Sequence, residues 1–152
     1  MPFVIRPAEP ADAPPVRDLV FAILRSYGIT PDPTGLDAAL MEFGIPGNGS
    51  LADLVADVGG DPVGVVALGE HTTDVGWVSK LFVSREHRRA GIGSALLARA
   101  IAEARGRGLR RVGLRTRTIF REAVRLYETA GWIRGPAPDV EGPDRTYWLV
   151  LD

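Results

Sequence analysis

The sequence contains no cysteine, a single lysine and no long hydrophobic run. The lack of cysteine excludes disulfides, thiolate metal sites and a cysteine nucleophile. No apolar run approaches the ~20 residues that are needed to span a bilayer. The segment from Met1 to Arg6 also lacks the basic start and the apolar stretch of a signal peptide. We therefore expect a soluble, cytoplasmic protein that does not act in a membrane.

Net charge is almost absent, but charge is unevenly distributed along the chain. The net charge is −1, yet the segment from Arg85 to Arg125 holds twelve arginines and three acids, which gives that segment +9. A basic segment of this size usually meets an anion, although a solvated helix face explains most single arginines in it. Arginine in place of lysine, together with much alanine, glycine and proline, favours a bacterial source.

The length and composition suit a single domain. The 152 residues, 45% of them apolar, are enough for one packed domain over residues 1–152. Hydrophobic periodicity and turn residues place the elements along the chain. The predicted elements are the strand Phe3 to Arg6, the helices Asp12 to Tyr27 and Asp32 to Phe43, the strands Leu51 to Asp57, Pro62 to Gly69 and Val75 to Val83, the helix Gly91 to Arg107, the strand Val112 to Thr116, the helix Glu122 to Ala130, and the strands Trp132 to Arg134 and Tyr147 to Leu151. This order indicates an α/β or α+β sandwich with a mixed sheet.

The segment Arg88-Arg89-Ala90-Gly91-Ile92-Gly93-Ser94 lies between a predicted strand and a long predicted helix. The first amides of a helix have no internal partners and carry partial positive charge, so they can hold a phosphate. The two glycines let an anion approach the backbone, and the arginines add charge. Taken alone, the pattern fits an ordinary turn into a helix equally well. The Gly-Lys-Ser/Thr of nucleoside triphosphatases and the third glycine of dinucleotide-binding loops are absent.

Two segments resemble one family in order and spacing. Residues 83–93, Val-x-x-x-x-Arg-x-x-Gly-x-Gly, resemble the CoA-binding signature of the GNAT superfamily of N-acyltransferases. Residues 123–132, Ala-Val-Arg-Leu-Tyr-Glu-Thr-Ala-Gly-Trp, resemble that family's Ala-x-x-Leu-Tyr-x-x-x-Gly-Phe. The resemblance extends from Lys80 to Trp132, and upstream only the layout of elements agrees. It implies a GNAT-like α/β (α+β) fold, with a mostly antiparallel sheet of about seven strands and about four flanking helices.

The resemblance also implies a co-substrate, acetyl-CoA, and roles for individual residues, without a metal ion. The strand end at Leu81, Phe82 and Val83 would splay from its neighbour and pair with the pantetheine arm, and one of its amides would donate to the acyl carbonyl. The segment Arg88 to Ser94 would hold the pyrophosphate. Tyr127 would lie near the sulfur, although periodicity alone makes it a core residue. Because tyrosine is a weaker acid than the thiol by roughly 1.5 pKa units, we expect it to hydrogen-bond to the sulfur and to act as a proton donor rather than as a strong acid.

Two positions depart from the family pattern. The strand Val75 to Val83 has no acid where relatives carry a general base, and Arg115 stands where others place a glutamate. Glu70, His71 and Asp74 remain as candidates, although each of them taken singly is better explained as a solvated turn residue. Of the three, we take Glu70, acting through water, as the predicted catalytic base. Phe120 replaces an asparagine that contacts pantetheine in relatives. It cannot donate that hydrogen bond, but it can pack on the cofactor.

The leading hypothesis is an acyl-CoA-dependent N-acetyltransferase whose primary amine acceptor attacks directly through a tetrahedral intermediate. One alternative is a non-catalytic acyl-CoA-binding module of the same fold. Another is a nucleic-acid binder, which the near-zero net charge and the lack of aromatic-basic interleaving disfavour. We expect a monomer or homodimer with a small-molecule or peptide amine as its partner. The presumed acceptor regions, which are the first two helices and the loops Gly44 to Ser50 and Gly135 to Asp144, are acidic, so a cationic acceptor is expected. Their acids include Asp32, Asp37, Glu42, Asp139, Glu141 and Asp144.

Overall fold

The chain forms one seven-stranded sheet with helices on its two faces. The computed structural model describes residues 2–35, 37–135 and 144–151. The elements in chain order are β1 (Val4–Pro7), α1 (Ala13–Ser26), β2 (Ala52–Val58), β3 (Asp61–Thr72), β4 (Val75–Val83), α2 (Ile92–Gly106), β5 (Arg111–Arg117), α3 (Arg121–Thr129), β6 (Ile133–Gly135) and β7 (Asp144–Val150). Short 3-10 turns cover Pro10–Asp12, Ala38–Glu42 and Arg85–His87.

The sheet is mixed and mostly antiparallel, as predicted. Its strand order is β1-β2-β3-β4-β5-β7-β6, and only the β4–β5 pair is parallel. The β2–β3 and β3–β4 hairpins join neighbours in sequence, whereas β4 and β5 are connected through α2, as a parallel pair requires. The parallel pair therefore lies at the centre of the sheet, with an antiparallel half on each side.

Each face of the sheet carries its own core cluster, because side chains alternate along a strand. One cluster unites α2 and α3 with one set of strand residues, and its fully buried members include Leu54, Val66, Leu68, Leu96, Leu114 and Tyr147. The other unites α1 and the turn Ala38–Glu42 with the alternate set, and its members include Val16, Val20, Phe43, Val55 and Val65. The middle of β3 is buried on both faces, which explains its continuous apolar run.

Helix α2 lies very close to the sheet because Gly64 has no side chain. A Cβ at Gly64 would approach the side chains of Leu96 and Ile92 to 2.9 and 3.0 Å. Any larger residue at this position would push α2 away from β3. This contact sets the height of the N-terminal turn of α2 above the end of β4, where the predicted phosphate segment lies.

The prediction of a second helix from Asp32 to Phe43 is wrong. The described chain has three α-helices, not about four, and this region instead contains turns and the 3-10 segment Ala38–Glu42. The amides of Gly35 and Asp37 both donate to the carbonyl of Asp32, and the carboxylate of Asp37 accepts from the Asp32 amide at 2.7 Å. Gly35 in what would be the first turn weakens the helix, and the backbone of Asp32 and the side chain of Asp37 close local turns instead.

The other boundaries agree with prediction to within three residues. The largest shifts, of three residues each, are in β3, which ends at Thr72 instead of Gly69, and in β7, which begins at Asp144 instead of Tyr147. Residues 136–143 of the predicted loop Gly135 to Asp144, which include Asp139 and Glu141, lie outside the described residues. Among the described helices none is long and apolar enough to cross a membrane.

Candidate active site

The N-terminal turn of α2 presents unpaired amides. Ala95 donates the first intrahelical hydrogen bond, to the carbonyl of Gly91 at 3.0 Å, so the amides of Ile92, Gly93 and Ser94 have no helix partner. Gly91 is the N-cap with φ at +80° and offers no side-chain cap. A residue with a Cβ is strained in this left-handed conformation, so the turn requires glycine. The turn therefore offers a positive, unfilled end to an anion.

Arg88 connects this turn to the end of β4. Its Nε donates to the carbonyl of Val83 at 3.3 Å and lies 3.5 Å from a carboxylate oxygen of Glu122, which is largely exposed. Arg89 next to it has φ at +65°, an unusual conformation for a non-glycine residue. Two arginines therefore stand beside the free amides on a tightly turned backbone.

A cavity of about 220 Å³ opens over this turn. It contains ten of the twelve residues predicted to bind CoA, which are Leu81, Phe82, Val83, Arg88, Arg89, Gly91, Ile92, Gly93, Ser94 and Phe120. Ala90 and Tyr127 do not line it. The remaining walls come from residues to which the sequence reading assigned no cofactor role, namely Ile23, Tyr27, His87, Glu122, Ala123 and Leu126. We call this the first cavity.

The strands β4 and β5 part midway along their length, as predicted for the strand end. Their parallel pairing covers Val75 to Trp77 on β4 and then stops, although β4 runs on to Val83. Backbone groups on this edge of β4 beyond Trp77 therefore have no partner on β5. The other edge of β4 stays paired with β3 as far as Val83.

A bulge distorts β4 within this gap. Val65 pairs with Phe82 and Ala67 pairs with Ser79. Between these two pairs β3 has one residue and β4 has two, so β4 carries one extra residue. Lys80 lies in the bulge with φ at +59°. A bulge bends a strand and redirects its side chains. Here it turns β4 away from the regular ladder at the point where its free edge begins.

The gap itself contains a second cavity, also of about 220 Å³. Its walls are Val78, Ser79, Lys80, Leu81, Phe82, Arg115, Thr116, Arg117, Phe120, Ala123, Tyr127 and Asp144. The two cavities share Leu81, Phe82, Phe120 and Ala123 as walls. They therefore adjoin across the end of β4, one on the α2 side and one between the strands.

Tyr127 lies in the second cavity and is also a core residue. Its side chain is 4% exposed and packs against Trp132 and Tyr147, with ring centroids 5.8 and 5.9 Å away. Within the described part of the chain, its hydroxyl forms no hydrogen bond. Burial raises the pKa of Tyr127, so the phenol keeps its proton across the pH range of ordinary assays. The packing and the free hydroxyl together make it a fixed hydrogen-bond donor.

Phe120 stands where the two cavities meet. Its ring contacts Tyr27 and Phe82 edge to face, at centroid distances of 5.1 and 5.7 Å. It caps the N-terminus of α3 through its backbone, since its carbonyl accepts from Val124 at 3.0 Å. The side chain is therefore part of an aromatic cluster that separates the two spaces.

The structure does not bring the predicted bases to Tyr127. Glu70 is exposed and pairs with Gly76 at the beginning of β4, ahead of the gap, and it lines neither cavity. His71 stacks on Trp77 at 4.8 Å, and Asp74 lies 3.9 Å from Arg110. Among the described residues, the carboxylate in the second cavity is that of Asp144, which was expected from the sequence to be one of the acids of the acceptor loops and not a base.

Lys80 and Arg117 are two further site residues that the sequence analysis did not identify. The scarcity of lysine was the one signal for Lys80, but nothing local connects it with Arg117 or Asp144. Arg117 on β5 and Asp144 on β7 lie opposite each other in the sheet ladder, although 26 residues separate the two strands in the chain. Only the assembled sheet brings Lys80, Arg117 and Asp144 to one cavity.

Comparison with known proteins agrees with this geometry. A family model described as the Acetyltransferase (GNAT) family matches residues 18–132. A stretch of 85 residues is 40% identical to the Probable N-acetyltransferase 14 of Macaca fascicularis, covering 55% of this chain and 41% of that relative, so the chain spans less than half of the relative's length.

Solved structures show the same fold at low sequence identity. An acetyltransferase of the GNAT family from Staphylococcus aureus Mu50 superposes with a TM-score of 0.88 at 18% identity, covering 99% of this chain and 100% of that one. A putative acetyltransferase from Salmonella typhimurium, solved with its cofactor acetyl-CoA, superposes with a TM-score of 0.76 at 20% identity, covering 99% and 94%. Since the family model covers most of the sequence and the fold agrees throughout, this chain belongs to the GNAT family of acetyltransferases.

Proposed function

We propose that this chain is an N-acetyltransferase that transfers the acetyl group of acetyl-CoA to a primary amine by direct attack. The observation that carries the proposal is the adjacency of the two cavities. One presents free helix amides and arginines, and the next presents a free strand edge and a phenol. CoA needs these features in this order, from its pyrophosphate to its thioester.

The first cavity suits the pyrophosphate. The amides of Ile92, Gly93 and Ser94 donate to its oxygens, and the arginines at 88 and 89 supply positive charge. The apolar walls toward α1 and α3 accept the less polar part of the pantetheine arm. The Salmonella relative was solved with acetyl-CoA, which supports the same ligand here.

The free edge of β4 suits the rest of the arm and the acyl group. Pantetheine contains amides, which pair with an unpaired strand edge as an added strand would. A β4 amide then donates to the acyl oxygen as negative charge develops on it. The neutral amine attacks the carbonyl carbon, a C–N bond forms, and the C–S bond breaks as the sulfur takes the proton of the Tyr127 hydroxyl, which solvent then restores. Tyr127 donates a hydrogen bond to that sulfur.

The amine must also lose a proton. Asp144 lines the same cavity as Tyr127, whereas Glu70 does not, so Asp144 is better placed to take this proton directly or through water. Glu70 stays a prediction of the sequence, with a role only through a longer chain of water molecules.

The first experiment measures the thermal midpoint with and without acetyl-CoA in the wild type and two variants. At a ligand concentration of 100 times Kd, binding stabilises by about 2.7 kcal/mol, which raises the midpoint by roughly 5–10 °C in a chain of this length. Gly91→Glu places a carboxylate at the free amides and abolishes the rise. Gly108→Glu is the matched control, because Gly108 has φ at +77°, also has open space around it, and lies beyond the other end of α2.

The outcome separates the possible functions. A rise that Gly91→Glu abolishes and Gly108→Glu retains, followed by acetyl transfer in an amine panel, supports the enzyme. The same rise without transfer or acetyl-CoA hydrolysis supports the non-catalytic binding module. No rise at millimolar acetyl-CoA contradicts both.

A further inference from the structure

The second cavity has a strongly basic rim. Three of its described wall residues are cations, Lys80, Arg115 and Arg117, and Asp144 is the single acid among them. Arg115 and Arg117 lie two residues apart on β5, so their side chains project from the same face of the sheet. Both are exposed, so they lie at the open side of the cavity. A neutral or cationic ligand gains nothing from such a rim.

These three cations form no ion pair with a carboxylate in the described part of the chain. Within residues 2–35, 37–135 and 144–151, no ion pair within 4.0 Å includes any of them, and the one hydrogen bond of Lys80 is a long one of 3.4 Å to the Ser79 hydroxyl. Two other arginines near this half of the sheet do have acidic partners. Arg110 lies 3.9 Å from Asp74, and Arg145 lies 3.7 Å from Glu128.

Lys80 is the most constrained of the three. The bulge holds its backbone in the left-handed region, and its side chain is partly buried. Loss of hydration lowers the pKa of its ammonium group, and the nearby carboxylate of Asp53 partly offsets that effect. Asp53 lies more than 4.0 Å from the ammonium group, and its two oxygens accept hydrogen bonds from the Gly44 amide, Asn48 and Ser50 at 2.7 to 2.9 Å. An ammonium group short of water and without a partner is a ready site for an anion.

We propose that the acceptor amine carries a carboxylate, and that Lys80 binds this carboxylate together with Arg115 and Arg117. The acceptor is then an amino acid or a similar small molecule with an acid group a few bonds from its amine. This inference rests on the proposed acetyl transfer. It opposes the cationic acceptor that the acidic segments of the sequence had indicated.

The acid group belongs to the acceptor rather than to the acyl chain. The acyl chain arrives from the first cavity, past Phe120, and ends at the free edge of β4. Arg115 and Arg117 lie at the exposed opening of the second cavity, through which an acceptor enters from solvent. An acceptor that spans from this opening to the acyl carbon places its acid near the cations and its amine near Asp144.

The test uses matched pairs of acceptors, amino acids and their amides, such as glycine with glycinamide and alanine with alaninamide. Rates are expressed per concentration of neutral amine, because the amide changes the basicity of the amine. We expect kcat/KM to favour the acids by about 10-fold or more, and Lys80→Met to reduce that ratio to near one, since a charge-assisted contact is lost. In Lys80→Met the KM for acetyl-CoA stays within about twofold of the wild-type value. Lys80→Arg retains the preference, and Arg105→Met, at the exposed end of α2, leaves it unchanged.

A binding measurement complements the kinetics and does not require turnover. Lys80 is the only lysine, so labelling with ¹³C,¹⁵N-lysine gives one side-chain signal that reports on this site alone. In the presence of CoA, N-acetylglycine shifts this signal saturably, and N-acetylglycinamide does not. Equal shifts from both compounds, or shifts that never saturate, overturn the inference.

Other outcomes also decide the matter. Equal or greater activity with the amides overturns the proposal, and so does an acid preference that persists in Lys80→Met. A Lys80-dependent preference for succinyl-CoA over acetyl-CoA, without any preference among acceptors, assigns the cations to the acyl chain and overturns it too. Binding of acetyl-CoA with no transfer to any amine contradicts the proposed function, and the lysine signal then tests the carboxylate site separately.

Discussion

The ring of Phe120 meets the ring of Phe82 edge to face, with centroids 5.7 Å apart and an interplanar angle of 86°. Phe82 belongs to the free end of β4 and Phe120 to the cap of α3, so this contact joins the two elements on either side of the passage between the cavities. A pantetheine arm that reaches β4 must therefore lie against the aromatic ring of Phe120 and not against the side-chain amide of an asparagine at that position.

Phe120→Ala weakens acetyl-CoA binding. It removes an apolar contact worth about 1–1.5 kcal/mol, so Kd measured by calorimetry rises about 5–10-fold. Phe120→Leu keeps most of the apolar volume and raises Kd less. A lower Kd in Phe120→Ala would show that the ring obstructs the arm instead of supporting it.

Tyr127→Phe lowers kcat by about 100-fold, the usual contribution of a positioned proton donor, and leaves the KM for acetyl-CoA unchanged. Because burial raises the pKa of Tyr127, the phenol keeps its proton, and the wild-type kcat shows no alkaline decline that depends on this residue. Its hydroxyl has no partner in the described chain, so the unfolding free energy changes by only about 0.5 kcal/mol. An unchanged kcat would assign Tyr127 to the core alone.

Asp144→Asn and Glu70→Gln separate the two candidate bases. Asp144 lines the second cavity, and its replacement reduces kcat by about 100-fold because proton removal from the amine is lost. Glu70 lies outside both cavities, and Glu70→Gln leaves kcat and its pH profile unchanged. The reverse pattern in single-turnover rates would restore Glu70 as the base.

Asp12→Asn destabilises the chain in a pH-dependent manner. Arg6 donates to both oxygens of Asp12, at 2.7 and 2.9 Å, and the Glu9 amide donates at 2.7 Å, so the folded state holds the pKa of Asp12 below its ordinary value. This stabilisation is complete above the unfolded pKa of about 3.9 and is lost as pH falls through the folded value. We expect the variant to lose about 1.5–3 kcal/mol at pH 7 in urea unfolding, and the difference to shrink below pH 4.

The control for that experiment is Asp18→Asn. Asp18 pairs with Arg17 at 3.2 Å, but its side chain is 70% exposed, so the variant loses no more than about 0.5 kcal/mol. A loss in Asp12→Asn that is independent of pH would mean that shape, not charge, accounts for the effect.

Local features of the site were predictable because they depend on neighbouring residues. The free amides at the start of α2 follow from Gly91 and from the helix that succeeds it, and both are visible in sequence. The bounds of β4 match the prediction, because its apolar run is flanked by turn residues. The helix prediction for Asp32 to Phe43 was wrong because the local turns of Asp32 and Asp37 outweigh two apolar residues at helical spacing.

The sequence by itself determined the glycine turn at the start of α2, the resemblance to the family and the succession of strands along the chain, since these are set by contiguous patterns and short-range backbone preferences. Only the tertiary structure decided the composition of the second cavity. Lys80, Arg117 and Asp144 meet there because β4 parts from β5 while β7 pairs with β5, and such pairings are set by the packing of the whole sheet. The bulge at Lys80 likewise depends on the register between β3 and β4, which no local pattern specifies.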